Sequence, residues 1–145
     1  MTDLQNYLQR SGTVLQLATV HDGKPWVATV YFMVDDDLQV YWLSWPERRH
    51  SREIAENTQV AATVVIKTDR PVIGVQLEGQ ATVVTDAREV QQVMERYVAK
   101  YDEGQQFYEA FVAGTNKHVM YKLAPSAIWL FDEVNHAGES PLQVL

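Results

Sequence analysis

Five consecutive residues in the first half of the chain combine the side chains that proteins use to hold a small anion. Arg48, Arg49 and Arg52 are cationic, and His50 and Ser51 lie between them. Arginine forks donate paired hydrogen bonds to phosphate oxygens, and a serine hydroxyl adds another donor. The net charge of the chain is nevertheless −7. A local cationic cluster in an acidic protein predicts a site for a small anion such as a phosphate.

The cluster lies where a predicted strand passes into a predicted helix. Residues 38–44 alternate as a strand does, and Pro46 ends the strand because proline has no N–H to donate to a sheet. Residues 53–56 are typical of a helical turn. The first N–H groups of a helix have no partner within it, and the helix dipole adds positive potential there. We expect Arg49 and Arg52 to hold the anion and Arg48 to face solvent; the competing interpretation is a solvated charged surface.

Length and composition exclude several classes of function. A chain of 145 residues is long enough for one domain, which we expect to span 1–145. The net charge of −7 argues against nucleic-acid binding, which needs a basic face. No apolar run approaches the roughly 20 residues of a membrane-spanning helix, and the polar N-terminus lacks the apolar core of a signal peptide. We therefore expect a cytoplasmic protein with neither a membrane nor a nucleic-acid partner.

The sequence lacks the cysteines that thiolate catalysis needs and the histidine spacing that is typical of metal sites. It contains no cysteine, which excludes thiolate catalysis and Cys-based metal sites. Its histidines, His21, His50, His118 and His136, lack the spacing of metal ligands. His118 or His136 could serve as an axial ligand of haem, but the spacing singles out neither. No metal site is therefore predicted.

Alternating apolar residues and turn signals predict a β-rich core. We expect strands at 13–21, 26–34, 38–44, 60–67, 72–85, 117–123 and 126–132. Asp22-Gly23 is a strong hairpin signal between the first two, and the first three strands are predicted to form an antiparallel meander. Gly74 and Gly79 predict a bulge or bend in the long fifth strand. The pattern indicates a mainly β, barrel-like fold with a few helices.

Three further segments are typical of helices. One covers 2–10, with Thr2 as its N-cap and Gly12 as its stop. A second begins after Asp86, where Glu89 stands in the position of a capping box. A third covers 104–112. The tail, 133–145, has no clear periodicity, and we expect it either to cover the site of a neighbouring subunit or to be disordered.

The second predicted strand has apolar residues on both of its faces. Trp26, Val30 and Phe32 point one way, and Val27 and Tyr31 point the other way. An antiparallel strand with one wet face would alternate apolar and polar residues instead. The second face is therefore covered by the chain's own helices, by a ligand or by another subunit, and exposed apolar patches of this size usually mark partner sites.

Three segments together resemble the pyridoxamine 5′-phosphate oxidase-like, FMN-binding split-barrel family. They are 17–32, 41–64 and 75–84, and the most specific piece runs from Ser44 to Ala61 as S-x-x-x-x-R-H-S-R-x-I-x-x-N-x-x-V-A. Residues 122–130 are similar to the family's final pair of strands. The resemblance implies a split β-barrel of six to seven antiparallel strands in Greek-key-like order, with a few flanking helices. Its core would cover about 11–132, followed by the tail.

The resemblance also implies a cofactor, a partner and a set of site residues. It implies a homodimer with FMN in a groove between the subunits. Carried over by position, the phosphate ligands would be Arg49, His50, Ser51 and Arg52. The residues beside the flavin ring and its side chain would be Val27, Thr29, Leu43 and Ser44. Trp45 is the tryptophan that we expect to touch the flavin ring or the substrate.

Departures from the family pattern narrow the function that the resemblance implies. Many relatives have lysine where this chain has His50, and the vitamin B6 oxidases have an Arg-Gln pair where it has Ile73 and Gly74. Their C-terminal Arg-Leu-x-Pro segment is also not evident, so we do not expect vitamin B6 oxidation. We expect an FMN-dependent oxidoreductase that passes electrons from a reduced nicotinamide or another donor to a small-molecule acceptor. The alternatives are a deazaflavin-dependent reductase and a non-enzymatic protein that binds flavin, haem or another ligand.

Overall fold

A computed structural model describes residues 3–10, 14–102 and 104–145. The strands are β1 (Val14–His21), β2 (Lys24–Tyr31), β3 (Met33–Val34), β4 (Val40–Ser44), β5 (Gln59–Lys67), β6 (Ile73–Val83), β7 (Val119–Asp132) and β8 (Leu142–Gln143). The helices are α1 (Asp3–Arg10), α2 (Arg49–Glu56), α3 (Ala87–Tyr101) and α4 (Gln105–Val112). The mainly β fold class is confirmed, while the predicted cap Thr2 and stop Gly12 lie outside the described residues. No helix in the described ranges is both long enough and apolar enough to cross a membrane.

The strands form one antiparallel sheet, in which β4, the strand before α2, lies beside β7. The strand order is β2-β1-β5-β6-β7-β4-β3, and the short β8 pairs with β7. The strands β5, β6 and β7 follow one another as neighbours, whereas β4 lies beside β7 and not beside β5. This is a Greek-key connection. It brings the end of β4 to the start of β7, where Ser44 pairs with Val119.

The predicted antiparallel pairing of the first three strands is confirmed, but the second of them is in fact two strands: β2 pairs with β1, and β3 pairs with β4. The pairing stops at Phe32: β2 lies at one end of the strand order and β3 at the other. The Tyr101 hydroxyl, on α3, accepts a hydrogen bond from the Phe32 N–H at 2.9 Å and donates one to the Phe32 carbonyl oxygen at 2.8 Å. A side chain far along the sequence therefore satisfies the backbone that leaves the sheet.

The two predicted final strands are one continuous strand, β7, which passes through Pro125. The register between β6 and β7 shifts between Glu78 and Gly79, opposite this proline. Proline is tolerated at a bulge because the ladder of hydrogen bonds is already interrupted there. The bulge predicted at Gly79 is confirmed, and the break predicted at Ala124-Pro125 is corrected.

Two apolar clusters bury both faces of β4 within the chain. Trp42, on one face, belongs to a cluster with Leu8 of α1 and Ile54 of α2. Tyr41, on the other face, belongs to a cluster with Met94 of α3. Burial of these side chains is the main source of stability for the sheet. The covering of this apolar strand therefore needs no second subunit.

Helix α3 begins with the predicted cap but without the full capping box. The Asp86 carboxylate accepts a hydrogen bond from the Glu89 N–H at 2.8 Å. The Glu89 carboxylate does not return to the cap. It accepts hydrogen bonds from the Lys122 ammonium and the Tyr41 hydroxyl instead, each at 2.8 Å. Contacts of Glu89 with Lys122 on β7 and with Tyr41 on β4 therefore replace the hydrogen bond that a capping box would make between Glu89 and the Asp86 N–H.

Replacing Asp86 with alanine is expected to lower the free energy of unfolding by about 1 kcal/mol, because the first turn of α3 loses its capping acceptor. Urea denaturation measures this change. Arg88→Ala, an exposed substitution in the same turn, is the matched control and is expected to change stability by less than about 0.5 kcal/mol. Equal losses in the two variants would contradict the capping role.

The tail is ordered and returns to its own sheet, so the predicted alternative of disorder is wrong. Leu142 pairs with Leu130, and Gln143 pairs with Trp129. The Val144 N–H donates to the Ile128 carbonyl oxygen at 2.8 Å. The tail therefore adds an outer strand to β7.

Candidate functional site

The predicted anion cluster forms the first turn of α2. Arg48 is the N-cap residue, and the helix begins at Arg49. No side chain of the described residues caps this end, and the first turn contains no acidic residue. Unpaired N–H groups with three arginines around them give the positive potential that an anion site requires.

The predicted site residues line two cavities on either side of this turn. The first, which we call the Trp45 cavity, has a volume of about 540 Å³. It contains Thr29, Leu43, Ser44, Trp45 and His50, joined by Arg48 and His118. The second, the Arg52 cavity, has a volume of about 710 Å³ and contains Arg49, Ser51 and Arg52. Both volumes lie in the range of small-molecule sites, roughly 300–1,000 Å³.

Val27 lines neither cavity. It lies on β2, an end strand of the sheet, and 59% of its surface is exposed. Tyr31, the last residue of β2, is 56% exposed and forms part of the wall of the Trp45 cavity. The apolar face that the sequence indicates on β2 is therefore open in the single chain, and it continues into the cavity.

A buried histidine forms one side of the Trp45 cavity. The His50 Nε2 atom lies 2.8 Å from the Ser44 hydroxyl oxygen, and both side chains are buried. Burial lowers the pKa of His50, and the positive charge of Arg48 lowers it further. At neutral pH His50 is therefore uncharged, so it offers a hydrogen bond but not the charge of a lysine at this position.

The pKa of His50 gives a pH dependence of stability with a definite sign. The unfolded chain binds the proton more readily, near the ordinary histidine pKa of about 6.5. The stabilising contribution of neutral His50 is therefore complete above about pH 6.5 and is lost as the pH falls below that value. We expect wild-type protein to lose more stability than His50→Gln between pH 7 and pH 5 in urea denaturation. Parallel losses would contradict a lowered pKa.

The Trp45 cavity also contains an aromatic surface and a cation. The Arg48 guanidinium lies 4.9 Å from the centre of the Trp45 ring. The His118 ring meets Trp45 edge to face at 5.9 Å. A planar ligand with negative charge would find both a stacking surface and a cation here.

In the Arg52 cavity, Arg49 is held by a buried carboxylate. The Arg49 Nε atom donates to Glu53 at 2.7 Å, and the Thr19 hydroxyl donates to the other carboxylate oxygen at 2.7 Å. These two hydrogen bonds lower the pKa of Glu53, so it is ionised at neutral pH. The Arg49 guanidinium also lies 4.1 Å from the centre of the Trp26 ring. Arg49 is therefore fixed in position, and Glu53 offsets part of its charge.

Two other polar side chains in the Arg52 cavity, those of Ser51 and Arg52, could still bind a ligand. The Ser51 hydroxyl is buried, at 3% exposure of the residue, and has no hydrogen-bond partner among the described residues. Arg52 forms no ion pair with any described residue, although the neighbouring Glu53 and Glu56 pair with Arg49 and His21. A buried hydroxyl without a partner carries a free-energy cost, which a bound acceptor would remove.

Sequence reasoning did not assign five of the residues that line the Trp45 cavity: Val14, Val30, Tyr31, Arg48 and His118. Arg48 is exposed as expected, but it lines the cavity; His118 and Tyr31 were not assigned to the site. His118 reaches it because Val119 pairs with Ser44 across β4 and β7, a register that no local motif reveals. Nowhere in the described ranges do three or more His, Asp or Glu side chains converge as metal ligands would.

Comparison with known proteins gives one family and a set of fold relatives. No curated protein matches the chain in sequence. The solved structure of Rv2991 from Mycobacterium tuberculosis has a TM-score of 0.73 at 18% identity, over 97% of this chain and 91% of that one. An F420 reductase has a TM-score of 0.67 at 24% identity, over 88% and 97%. The haem storage protein HutZ from Vibrio cholerae has a TM-score of 0.65 at 20% identity, over 90% and 92%.

These structural likenesses establish the fold alone. The chain spans 58% of the length of a larger structural relative, a protein of unknown function from Agrobacterium tumefaciens. The family model described as pyridoxamine 5′-phosphate oxidase matches residues 2–132 of the 145. The match covers most of the chain, and the structure shows a curled antiparallel sheet. This chain therefore belongs to the pyridoxamine 5′-phosphate oxidase family and has its split-barrel fold.

Proposed function

We propose that the protein binds FMN and is an oxidoreductase that works as a homodimer. The observation that carries the proposal is the Trp45 cavity. It collects Thr29, Leu43, Ser44, Trp45 and His50 on one side of the first turn of α2. The other side of that turn holds the remaining phosphate candidates. A planar ring and an anion could therefore be held by one continuous surface around the start of the helix.

The phosphate would be held on the Arg52 side of the turn. Ser51 has a buried hydroxyl without a partner there, and Arg52 is a cation without an ion pair among the described residues. Arg49 adds a guanidinium whose orientation Glu53 fixes. These groups suit phosphate oxygens, which accept charge-assisted hydrogen bonds. His50 would add a hydrogen bond without charge.

The dimer proposal rests on the exposed strand β2. An end strand with exposed apolar residues is a surface that proteins normally cover, because its unpaired backbone and its side chains favour association. Trp26, Val27 and Tyr31 are all exposed, and the last of them also lines the Trp45 cavity. A second copy seated on β2 would close the cavity and bring Val27 to the cofactor.

Bound FMN would supply the two-electron redox chemistry, and the protein would supply binding, orientation and exclusion of water. The cavity residues need not include an acid, a base or a nucleophile for such a reaction. The proposed donor is a reduced nicotinamide or a similar molecule, and the acceptor is a small molecule.

Two titrations test the proposal. Riboflavin has the ring of FMN without its phosphate, so FMN should bind at least tenfold more tightly if charge-assisted phosphate contacts contribute. Equal affinity would contradict the phosphate site.

Anaerobic addition of NADH or NADPH to the FMN complex should bleach the flavin absorption. A tightly bound flavin that neither nucleotide bleaches would support a binding protein and reject a nicotinamide donor.

A further inference from the structure

The hydrogen bonds of Asn116 fix the protonation of one histidine in the Trp45 cavity. The His118 backbone N–H donates to the Asn116 Oδ1 atom at 2.8 Å. A backbone N–H can only donate, so the amide atom facing it is the oxygen and not the nitrogen. The same oxygen faces the His118 Nδ1 atom within hydrogen-bond distance. Since this oxygen can only accept, Nδ1 carries a proton.

The other ring nitrogen of His118 is therefore an acceptor. Burial lowers the pKa of His118, and the charge of Arg48 lowers it further, so the ring is neutral at neutral pH. A neutral imidazole with a proton on Nδ1 has a lone pair on Nε2. Nε2 has no partner among the described residues, and His118 lines the Trp45 cavity.

The position of this acceptor is fixed by packing as well as by hydrogen bonding. The His118 ring lies against Trp45 at 5.9 Å and against Phe107 of α4 at 6.1 Å. Among the other polar groups of the cavity, Arg48 only donates, the Thr29 hydroxyl donates to Gln16 at 2.7 Å, and His50 Nε2 lies 2.8 Å from the Ser44 hydroxyl oxygen. The cavity thus offers an aromatic surface and an unpaired acceptor, a combination that suits a planar ligand bearing an N–H.

We infer that His118 Nε2 accepts a hydrogen bond from the ring N–H of the flavin, which makes His118 a specificity-determining residue. The inference rests on the proposed function. An oxidised flavin ring has a single N–H, at N3, so the predicted contact involves one identifiable atom. The protein should therefore reject flavins in which that hydrogen is replaced, although their charge and stacking surface are unchanged.

A comparison of FMN with N3-methyl-FMN tests the inference in a binding cycle. Wild-type protein should bind FMN roughly tenfold more tightly, the scale of one hydrogen bond. His118→Phe keeps an aromatic ring against Trp45 and Phe107 but removes the acceptor. The affinity of this variant for FMN should therefore fall to the affinity of wild type for N3-methyl-FMN. His118→Gln restores an acceptor and should recover part of the preference. His136→Gln, at a histidine that lines neither cavity, is the control and should behave as wild type.

A steric origin of the preference would give a different result. If the methyl group were rejected by crowding alone, FMN affinity would be the same in wild type and His118→Phe, and the inference would be overturned. Nitrogen-15 NMR of the unliganded protein gives an independent reading of the ring. A protonated Nδ1 and a bare Nε2 support the inference, whereas the opposite tautomer overturns it.

Failure of the inference can be told apart from failure of the proposed function. Equal and tight binding of FMN and N3-methyl-FMN by wild type would overturn the role of His118 and leave FMN as the ligand. Binding of neither flavin would overturn both.

Discussion

Replacing Gly79 with alanine is expected to lower the free energy of unfolding by about 3 kcal/mol, whereas Gly74→Ala changes it by less than about 1 kcal/mol. Both glycines lie in β6, but only one has room for a side chain. A Cβ atom on Gly79 would overlap the carbonyl oxygen of Ala124 and come within 2.9 Å of its carbonyl carbon. A Cβ atom on Gly74 would meet only the Val64 carbonyl oxygen, at 3.6 Å.

The difference is large because the atoms in the way belong to the backbone of β7. Backbone atoms cannot rotate away from a new Cβ atom as a flexible side chain can. The bulge opposite Gly79 must therefore shift or lose its pairing. Urea denaturation of the two variants measures the effect. Similar stabilities for Gly79→Ala and Gly74→Ala would show that the close approach of β6 to β7 is not a feature of the folded protein.

Replacing Arg52 with alanine is expected to weaken FMN binding by about 1.5–3 kcal/mol, the value of a hydrogen bond to a charged group. Arg52 has no ion pair among the described residues, so its whole charge is available to the phosphate. Arg49→Ala is expected to weaken FMN binding in the same direction but by less, because Glu53 offsets part of the charge that is removed. Riboflavin affinity should be unchanged in both variants.

Isothermal titration with FMN and riboflavin separates the phosphate from the ring. Arg88→Ala removes an exposed arginine of α3 that lines neither cavity, and it controls for the change in net charge. Unchanged FMN affinity in both Arg49→Ala and Arg52→Ala would refute the phosphate assignment. A loss in Arg48→Ala alone would move the phosphate to the Trp45 side of the turn.

The parts of the fold that follow from local chemistry could be predicted from the sequence. The turn at Asp22-Gly23, the cap at Asp86 and the end of β4 shortly before Pro46 depend on neighbouring residues, and each is present. The cationic first turn of α2 could be predicted for the same reason. Its division between two cavities could not, since successive residues at a helix start point in different directions.

The misses share one physical cause, which is satisfaction of a group by a residue distant in sequence. Tyr101 satisfies the backbone at Phe32 and so splits a strand that looks continuous. Lys122 draws Glu89 away from the helix cap. His118 joins the site only through the pairing of β4 with β7. None of these contacts leaves a periodic or local signal in the chain.

The most direct test of the central claim is the flavin content and size of the protein after addition of FMN and gel filtration. Absorbance at the flavin bands gives the cofactor, and light scattering on the same peak gives the mass. We expect one FMN per subunit in a peak of twice the mass of the chain. A protein that loses all added FMN would contradict this expectation and would make a deazaflavin the next ligand to test, while a Soret band would point to haem.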